Sequence, residues 1–353
     1  MAEEIMAEES GMGEEFVLDL DAILAEYHRR QRIEAMMGPL VSLVVHVVLV
    51  VSAMMFFTGD TVPRHDEIEV TMKELDVKEM ERCFGLQMDA GCDGIIVCGS
   101  LGEAMALEPD EKIAILNIAK GAAGDKPVLM TVCESSTKRA VKAAKAAAAA
   151  GADGLMILPG VPYKSAPHET VAHLKTVAQG SGLPSMIYNN PVAYGVDVTL
   201  DMFEELAEEP LIVAMKESTD DIRRATEVIN RFGDRFDVFT GVDNLALESL
   251  MMGVVGWVAG LVVAFPKETV AIYKLVQAGR YAEALEIYRW FRPLLDLDVS
   301  TNLVQNIKLA EVHAIGSNDR CRLPRLPLSG AERNRVETVI KEALEKRPEL
   351  PSL

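Results

Sequence analysis

One short signature recurs three times: Ala90-Gly-Cys-Asp-Gly-Ile95, Ala150-Gly-Ala-Asp-Gly-Leu155 and Met252-Gly-Val-Val-Gly-Trp257. Each follows an amphipathic stretch of helical period and precedes a short apolar run. A glycine placed there supplies a left-handed helix cap, after which the chain enters a strand. Gly91 and Gly151 lie 60 residues apart, room for two strand–helix units of about 30 residues each. The apolar runs are continuous and rich in β-branched residues, the pattern of strands buried on both faces. They cover 94–98, 127–132, 154–158, 185–188, 211–215, 236–239 and 256–259. Helical patterns fill the intervals at 76–90, 109–122, 136–150, 167–179, 199–208, 219–232, 243–252 and 266–278. Strict alternation predicts a parallel sheet. Seven runs, with a weaker eighth at 67–72, fit a (β/α)8 TIM barrel over 76–280 better than an open doubly wound sheet. No Gly-x-Gly-x-x-Gly follows the first run, so no dinucleotide fold is indicated. Residues 281–353 read as a C-terminal helical extension, with helices near 281–295, 300–315 and 329–346.

The first quarter is a different kind of sequence. Residues 1–38 carry ten acidic residues against three arginines, seven units of the chain's net charge of −19. They read as an acidic leader, disordered over 1–13 and helical over 17–36. From Gly38 to Gly59 there is no formally charged residue, and the apolar run Leu40–Phe57 is 18 residues long. At about 1.5 Å per helical residue it nearly spans a ~30 Å hydrocarbon core. A transmembrane helix is therefore expected over 39–58, with a linker and room for a strand over 59–75. Arg29, Arg30 and Arg32 precede the run, which favours a cytoplasmic N-terminus. A buried core element is the competing reading of the same run. The overall acidity excludes nucleic acid as the main partner, since phosphate binding needs a basic face. Five cysteines, Cys83, Cys92, Cys98, Cys133 and Cys321, form no CxxC pair and no metal spacing with histidine. They read as reduced thiols, and no metal site is expected.

In a TIM barrel the active site lies at the C-terminal ends of the strands, so the polar residues that close each apolar run are the candidates. Lys216 ends the run Leu211–Met215 and is followed by Glu217. An amine desolvated at a strand end loses its proton more readily and becomes the nucleophile that imine formation needs. Tyr188-Asn-Asn-Pro191 ends another run, and its phenol can give and accept a proton in the barrel mouth. Gly99-Ser-Leu-Gly-Glu103 follows the run 94–98, and a turn of this kind offers backbone N–H groups to a carboxylate.

In this order, and with Gly241-Val-Asp243 behind them, these segments resemble the dihydrodipicolinate synthase / N-acetylneuraminate lyase family of class I Schiff-base enzymes. The resemblance runs from about Val77 to Leu344. Within that family, the segments 79–94, 220–224 and 287–300 look like the branch that deaminates 1-pyrroline-4-hydroxy-2-carboxylate in hydroxyproline breakdown. The resemblance implies that Lys216 forms the imine and Tyr188 shuttles protons to it. Ser100 relays protons, and Tyr163 in Pro162-Tyr-Lys164 matches a second relay tyrosine, often lent by a neighbouring subunit. The substrate would be held by the turn Gly99, Leu101, Gly102 and Glu103, with Asn189 and the Val258 carbonyl beside it. It also implies no cofactor beyond the covalent imine, a small 2-oxo or cyclic imino acid as substrate, a homodimer or homotetramer, and a cytoplasmic setting. Three departures stand out. Where dihydrodipicolinate synthases carry an arginine after the Tyr-Asn-x-Pro motif, this chain has Val192-Ala-Tyr-Gly195. Leu101 replaces a hydroxyl residue. The membrane-like run occupies the place of the family's first strand, for which only 67–72 can stand in. The expected activity is that of a Schiff-base deaminase or lyase. Its alternatives are a 4-hydroxy-tetrahydrodipicolinate synthase or 2-keto-3-deoxy acid aldolase of the same family. A reading of another class is a membrane accessory protein fused to a catalytically silent barrel.

Overall fold

The computed structural model describes residues 24–33, 35, 46–49, 75–160 and 164–352. The chain divides into two units, Met1–Lys73 and Glu74–Leu353. In the first, 24–33 is an exposed helix in which Arg30 pairs with Glu26 one turn away, at 3.3 Å. Residues 46–49 are also helical. Among the described residues no helix is long and apolar enough to cross a membrane. The rest of the run Leu40–Phe57, the leader 1–13 and the strand candidate 67–72 lie outside the described residues. The accessory-protein reading depends on those segments.

The second unit alternates strand and helix throughout. Helix α1 (Val77–Ala90) leads to β1 (Ile95–Val97), α2 (Pro109–Ala123), β2 (Val128–Val132), α3 (Thr137–Ala149) and β3 (Gly154–Ile157). Next come α4 (Pro167–Ser181), β4 (Ser185–Asn189), the single turn α5 (Pro191–Tyr194), α6 (Leu200–Leu206) and β5 (Ile212–Glu217). The series closes with α7 (Arg223–Phe232), β6 (Asp237–Thr240), α8 (Ala246–Met251), β7 (Gly256–Trp257) and α9 (Pro266–Gln277). The strands form one parallel sheet in the order β1 to β7, each paired with the next in sequence. This is the strand sequence of a TIM-barrel-like fold. Seven strands are present among the described residues, where eight were expected, and the segment read as the eighth lies outside them.

Both glycines of the recurring signature have work that a side chain would prevent. The first of each pair ends a helix with positive φ: Gly91 at 97°, Gly151 at 83° and Gly253 at 98°. The second is a close approach. A Cβ on Gly94 would lie 2.8 Å from Pro127 O, and one on Gly154 would lie 2.9 Å from Pro184 O. On Gly256 it would meet the Phe239 ring at 2.6 Å. Strands β3 and β4 are buried along their whole length, as their apolar runs require. Helix starts follow local chemistry. The Asp76 carboxylate accepts from Glu79 N at 3.2 Å, and Glu111 reaches back to Glu108 N at 2.9 Å with Pro109 at the first position. Two expected helices are shorter than their patterns. The stretch 219–232 begins its helix only at Arg223, because Asp220 takes φ 62° in the turn after β5. The stretch 243–252 opens as a 3-10 turn over Asp243–Leu245.

The extension comprises α10 (Tyr281–Leu295), α11 (Leu303–Ile315) and α12 (Gly330–Glu345). It belongs to the same compact unit as the barrel rather than forming one of its own. Phe265, before α9, packs edge-on against Phe291 of α10 at 5.5 Å, and Phe291 stacks on Trp290 at 5.4 Å. Trp290 Nε1 donates to Ala343 O at 2.8 Å, tying α10 to α12. The five cysteines are free thiols.

Candidate active site

Strand register brings the first two candidate residues together. Tyr188 on β4 is paired with Lys216 on β5, and Lys216 is paired with Phe239 on β6. Lys216 Nζ stands 4.1 Å from the centroid of the Tyr188 ring, a distance at which the π-face attracts a cation. The phenol oxygen of Tyr188 accepts from Asn190 Nδ2 at 3.1 Å. Lys216 has room to extend because residue 241 is glycine: a Cβ there would overlap Lys216 Cε and Ser218 Oγ, and would lie 2.7 Å from Lys216 Cγ.

The turn after β1 approaches the same mouth. Cys98 (φ 56°) and Glu103 (φ 53°) are left-handed, which folds the segment tightly. Gly102 is needed within it, since a Cβ would lie 3.3 Å from Cys98 N and Cα. Among the described residues the Ser100 and Leu101 amides donate to no protein acceptor, whereas Glu103 N bonds to Ser100 O at 3.1 Å. Two N–H groups are thus left at the turn for an incoming carboxylate. Gly99 borders Met156 and Thr131, whose buried hydroxyl has no partner among the described residues.

Ser100 is hydrogen-bonded to the hydroxyl of Tyr194, on α5, and the Tyr194 ring meets the Tyr188 ring edge-on at 5.8 Å. Lys216, Tyr188, Tyr194 and Ser100 therefore form one contiguous series. Burial and the neighbouring Tyr188 push the Tyr194 phenol up to about 12, so it is a protonated donor at neutral pH. Tyr163, the relay tyrosine suggested by resemblance, lies outside the described residues. In the sequence, Val192-Ala-Tyr-Gly195 stands out only for its lack of arginine, and nothing there gives Tyr194 a role. The available signal was the turn Asn190-Pro191 ahead of it, which returns the chain over the barrel mouth. Tyr194→Phe is expected to lower kcat on the order of 10²-fold with KM and melting temperature little changed. A Tyr194→Phe enzyme of full rate, alongside an impaired Tyr163→Phe, would move the relay to Tyr163.

Two residues expected to bind substrate are placed in supporting roles. Asn189 is fully buried and follows the inward-facing Tyr188, so strand alternation turns it to the outer face. There its amide donates to Asp197 Oδ1 at 3.1 Å and Glu217 Oε2 at 3.3 Å, while its oxygen accepts from Val198 N at 2.9 Å. The carboxylate of Glu103 is occupied by Lys308 Nζ at 2.5 Å and Arg322 N at 2.9 Å, which anchors the Ser100 turn to the C-terminal extension. Val258 follows β7 and donates its N–H to Thr240 O at 2.9 Å. Asp243, fully buried at the end of β6, accepts from Leu261 N at 2.7 Å, Trp257 Nε1 at 2.9 Å and Gly260 N at 3.0 Å. Burial raises its carboxyl, against these N–H groups and the charge of Lys216.

A model of the dihydrodipicolinate synthetase family matches residues 70–343. The chain belongs to this family. A 4-hydroxy-tetrahydrodipicolinate synthase from Geotalea daltonii is 30% identical over 274 residues, covering 76% of this chain and 93% of that protein. The corresponding enzyme from Aquifex aeolicus is 31% identical over 274 residues, covering 76% and 92%. The crystal structure of the Aquifex aeolicus dihydrodipicolinate synthase superposes with a TM-score of 0.72 at 30% identity, over 76% of this chain and 92% of that one. The dihydrodipicolinate synthetase family is one of Schiff-base lyases acting on small keto acids, and the positions of Lys216 and Tyr188 suit that chemistry.

Proposed function

We propose that the chain takes a small 2-oxo or cyclic imino acid onto Lys216 as a Schiff base, and that its reaction is the deamination of 1-pyrroline-4-hydroxy-2-carboxylate. The observation that carries the Schiff-base reading is Lys216 Nζ 4.1 Å above the Tyr188 ring, at the paired ends of β4 and β5. The turn after Tyr188 favours the deaminase within that class. It offers Val192, Ala193 and Tyr194 in place of an arginine for a second carboxylate, and Tyr194 is already engaged with Ser100.

Lys216 replaces the ring nitrogen by transimination, leaving a primary amine on C5 and a protonated imine beside the carboxylate. The amides of Ser100 and Leu101 receive that carboxylate. The cationic imine is an electron sink, so a proton leaves C3 and the 4-hydroxyl departs as water. The new C3=C4 bond shifts to C4=C5, giving an enamine that hydrolyses to the aldehyde and ammonia. Hydrolysis of the lysine imine then frees 2-oxoglutarate semialdehyde. The reaction asks for no metal or external cofactor.

A second reading is 4-hydroxy-tetrahydrodipicolinate synthase, favoured by the names of the relatives at about 30% identity. A 2-keto-3-deoxy acid aldolase would use the same lysine and tyrosine. Ammonia release from the pyrroline substrate, measured beside condensation of pyruvate with aspartate semialdehyde, separates the first two. Ammonia release alone supports the deaminase, and condensation alone overturns it.

A further inference from the structure

Besides the contact of Lys308 and Arg322 with Glu103, the C-terminal extension reaches the barrel mouth on the β7 side. Between α10 and α11 the chain turns through Leu297–Ser300. Asn306, fully buried on α11, holds this turn by donating to Leu297 O at 3.0 Å and Ser300 Oγ at 2.9 Å. On the barrel side Asn244 Nδ2 donates to Asp296 Oδ1 at 2.7 Å. Between these two ties stands Asp298. A Cβ on Gly260 would lie 2.5 Å from its Oδ1 and 3.2 Å from its Oδ2, so the carboxyl rests directly on that glycine's α-carbon. The amide of the same glycine serves Asp243. Gly260 is thus sandwiched between two carboxyls at the end of β7. Asp243 is satisfied by three N–H donors. The Asp298 side chain, partly buried, makes no hydrogen bond among the described residues. Burial and the adjacent Asp243 push its carboxyl well above the usual range, and only the charge of Lys216 opposes them. Beside Lys216, the buried hydroxyl of Ser218 is likewise without a partner among the described residues. A carboxyl and a hydroxyl with no protein partner among the described residues, one against Gly260 and one beside Lys216, are open to a polar substrate.

We propose that Asp298 is a further catalytic residue, the acid that protonates the hydroxyl leaving the carbon two bonds from the imine. This rests on the deaminase reading above. Once the C3 proton has been removed, the enamine electrons form the C3=C4 bond and restore the imine. The C4–O bond breaks with its electron pair on oxygen, and the Asp298 O–H proton joins that oxygen as water departs. Asp298 is left as a carboxylate and regains a proton from solvent before the next cycle. Tyr188, Tyr194 and Ser100, reached from β4 and β1, serve the imine and C3 instead.

The test separates the two steps. Wild type and Asp298→Asn are incubated with the pyrroline substrate in D2O, following C3 deuterium exchange by mass spectrometry and ammonia release by a coupled assay. The amide of asparagine keeps size and hydrogen bonding but has no acidic proton. Asp298→Asn is expected to exchange C3 hydrogen at the wild-type rate and to release ammonia on the order of 10²-fold more slowly. Asp298→Glu should recover part of the release. Unchanged ammonia release in Asp298→Asn, or an equal loss of exchange and release in both variants, would overturn the proposal alone. Wild type that exchanges C3 hydrogen yet releases no ammonia would overturn the deaminase reading and the proposal with it.

Discussion

Lys216→Ala is expected to reduce turnover by on the order of 10⁴-fold or more, because no other amine can form the covalent intermediate and the loss of a nucleophile is not shared among its neighbours. Borohydride added with substrate or pyruvate should fix a mass increment on Lys216 in the wild type and none in the variant. Its side chain is only partly buried and lies along the Tyr188 ring, so truncation removes chemistry without opening a large cavity. The melting temperature should stay near wild type. A stable wild-type chain that gains no mass at Lys216 would show a silent barrel, and with it the accessory-protein reading would stand.

Gly241→Ala should have the next largest effect. The backbone of Gly241 cannot retreat, since its N–H is bonded to Glu217 O at 2.9 Å in the sheet register that continues β5 and β6. The added methyl must therefore displace Lys216 or Ser218. A misplacement of about 1 Å at a reacting group costs on the order of 10²-fold, and that loss is expected in kcat and in the rate of borohydride trapping. The φ of this glycine lies in the ordinary range, so alanine introduces no backbone strain and the fold should survive. Full activity in Gly241→Ala would mean that Lys216 works from a position other than the one beside Tyr188.

Much of the barrel was legible because its causes are local. Each strand shows as a short apolar run, and three helix ends show by a glycine, whose positive φ the structure reproduces at Gly91, Gly151 and Gly253. Strand ends were legible for the same reason. Lys216, Tyr188 and Ser100 are the polar residues that close apolar runs, and a parallel barrel puts all such ends on one face. Helix starts were read less well, because the turn at Asp220 and the 3-10 opening at Asp243 answer to the loops above the sheet rather than to helical periodicity.

Orientation within the mouth was not legible. Asn189 and Glu103 sit in the motif and looked like substrate ligands, yet one faces the outer layer and the other is held by Lys308 and Arg322, more than 200 positions along the chain. Tyr194 has no mark in the sequence, and only folding lays it on Ser100, 94 positions earlier. Asp298 lies in the segment 287–300 that resembles the deaminase branch, but nothing local gives it a role, and it reaches Gly260 only because the extension packs back over the end of β7. Taken by itself, then, the order of residues determined a parallel strand–helix repeat, its family and the candidate amine at a strand end. These depend on periodicity, glycine conformation and chemistry at a strand end. Which polar groups surround that amine was decided by the tertiary structure alone. Their approach depends on how distant segments pack, and no spacing along the chain encodes that distance.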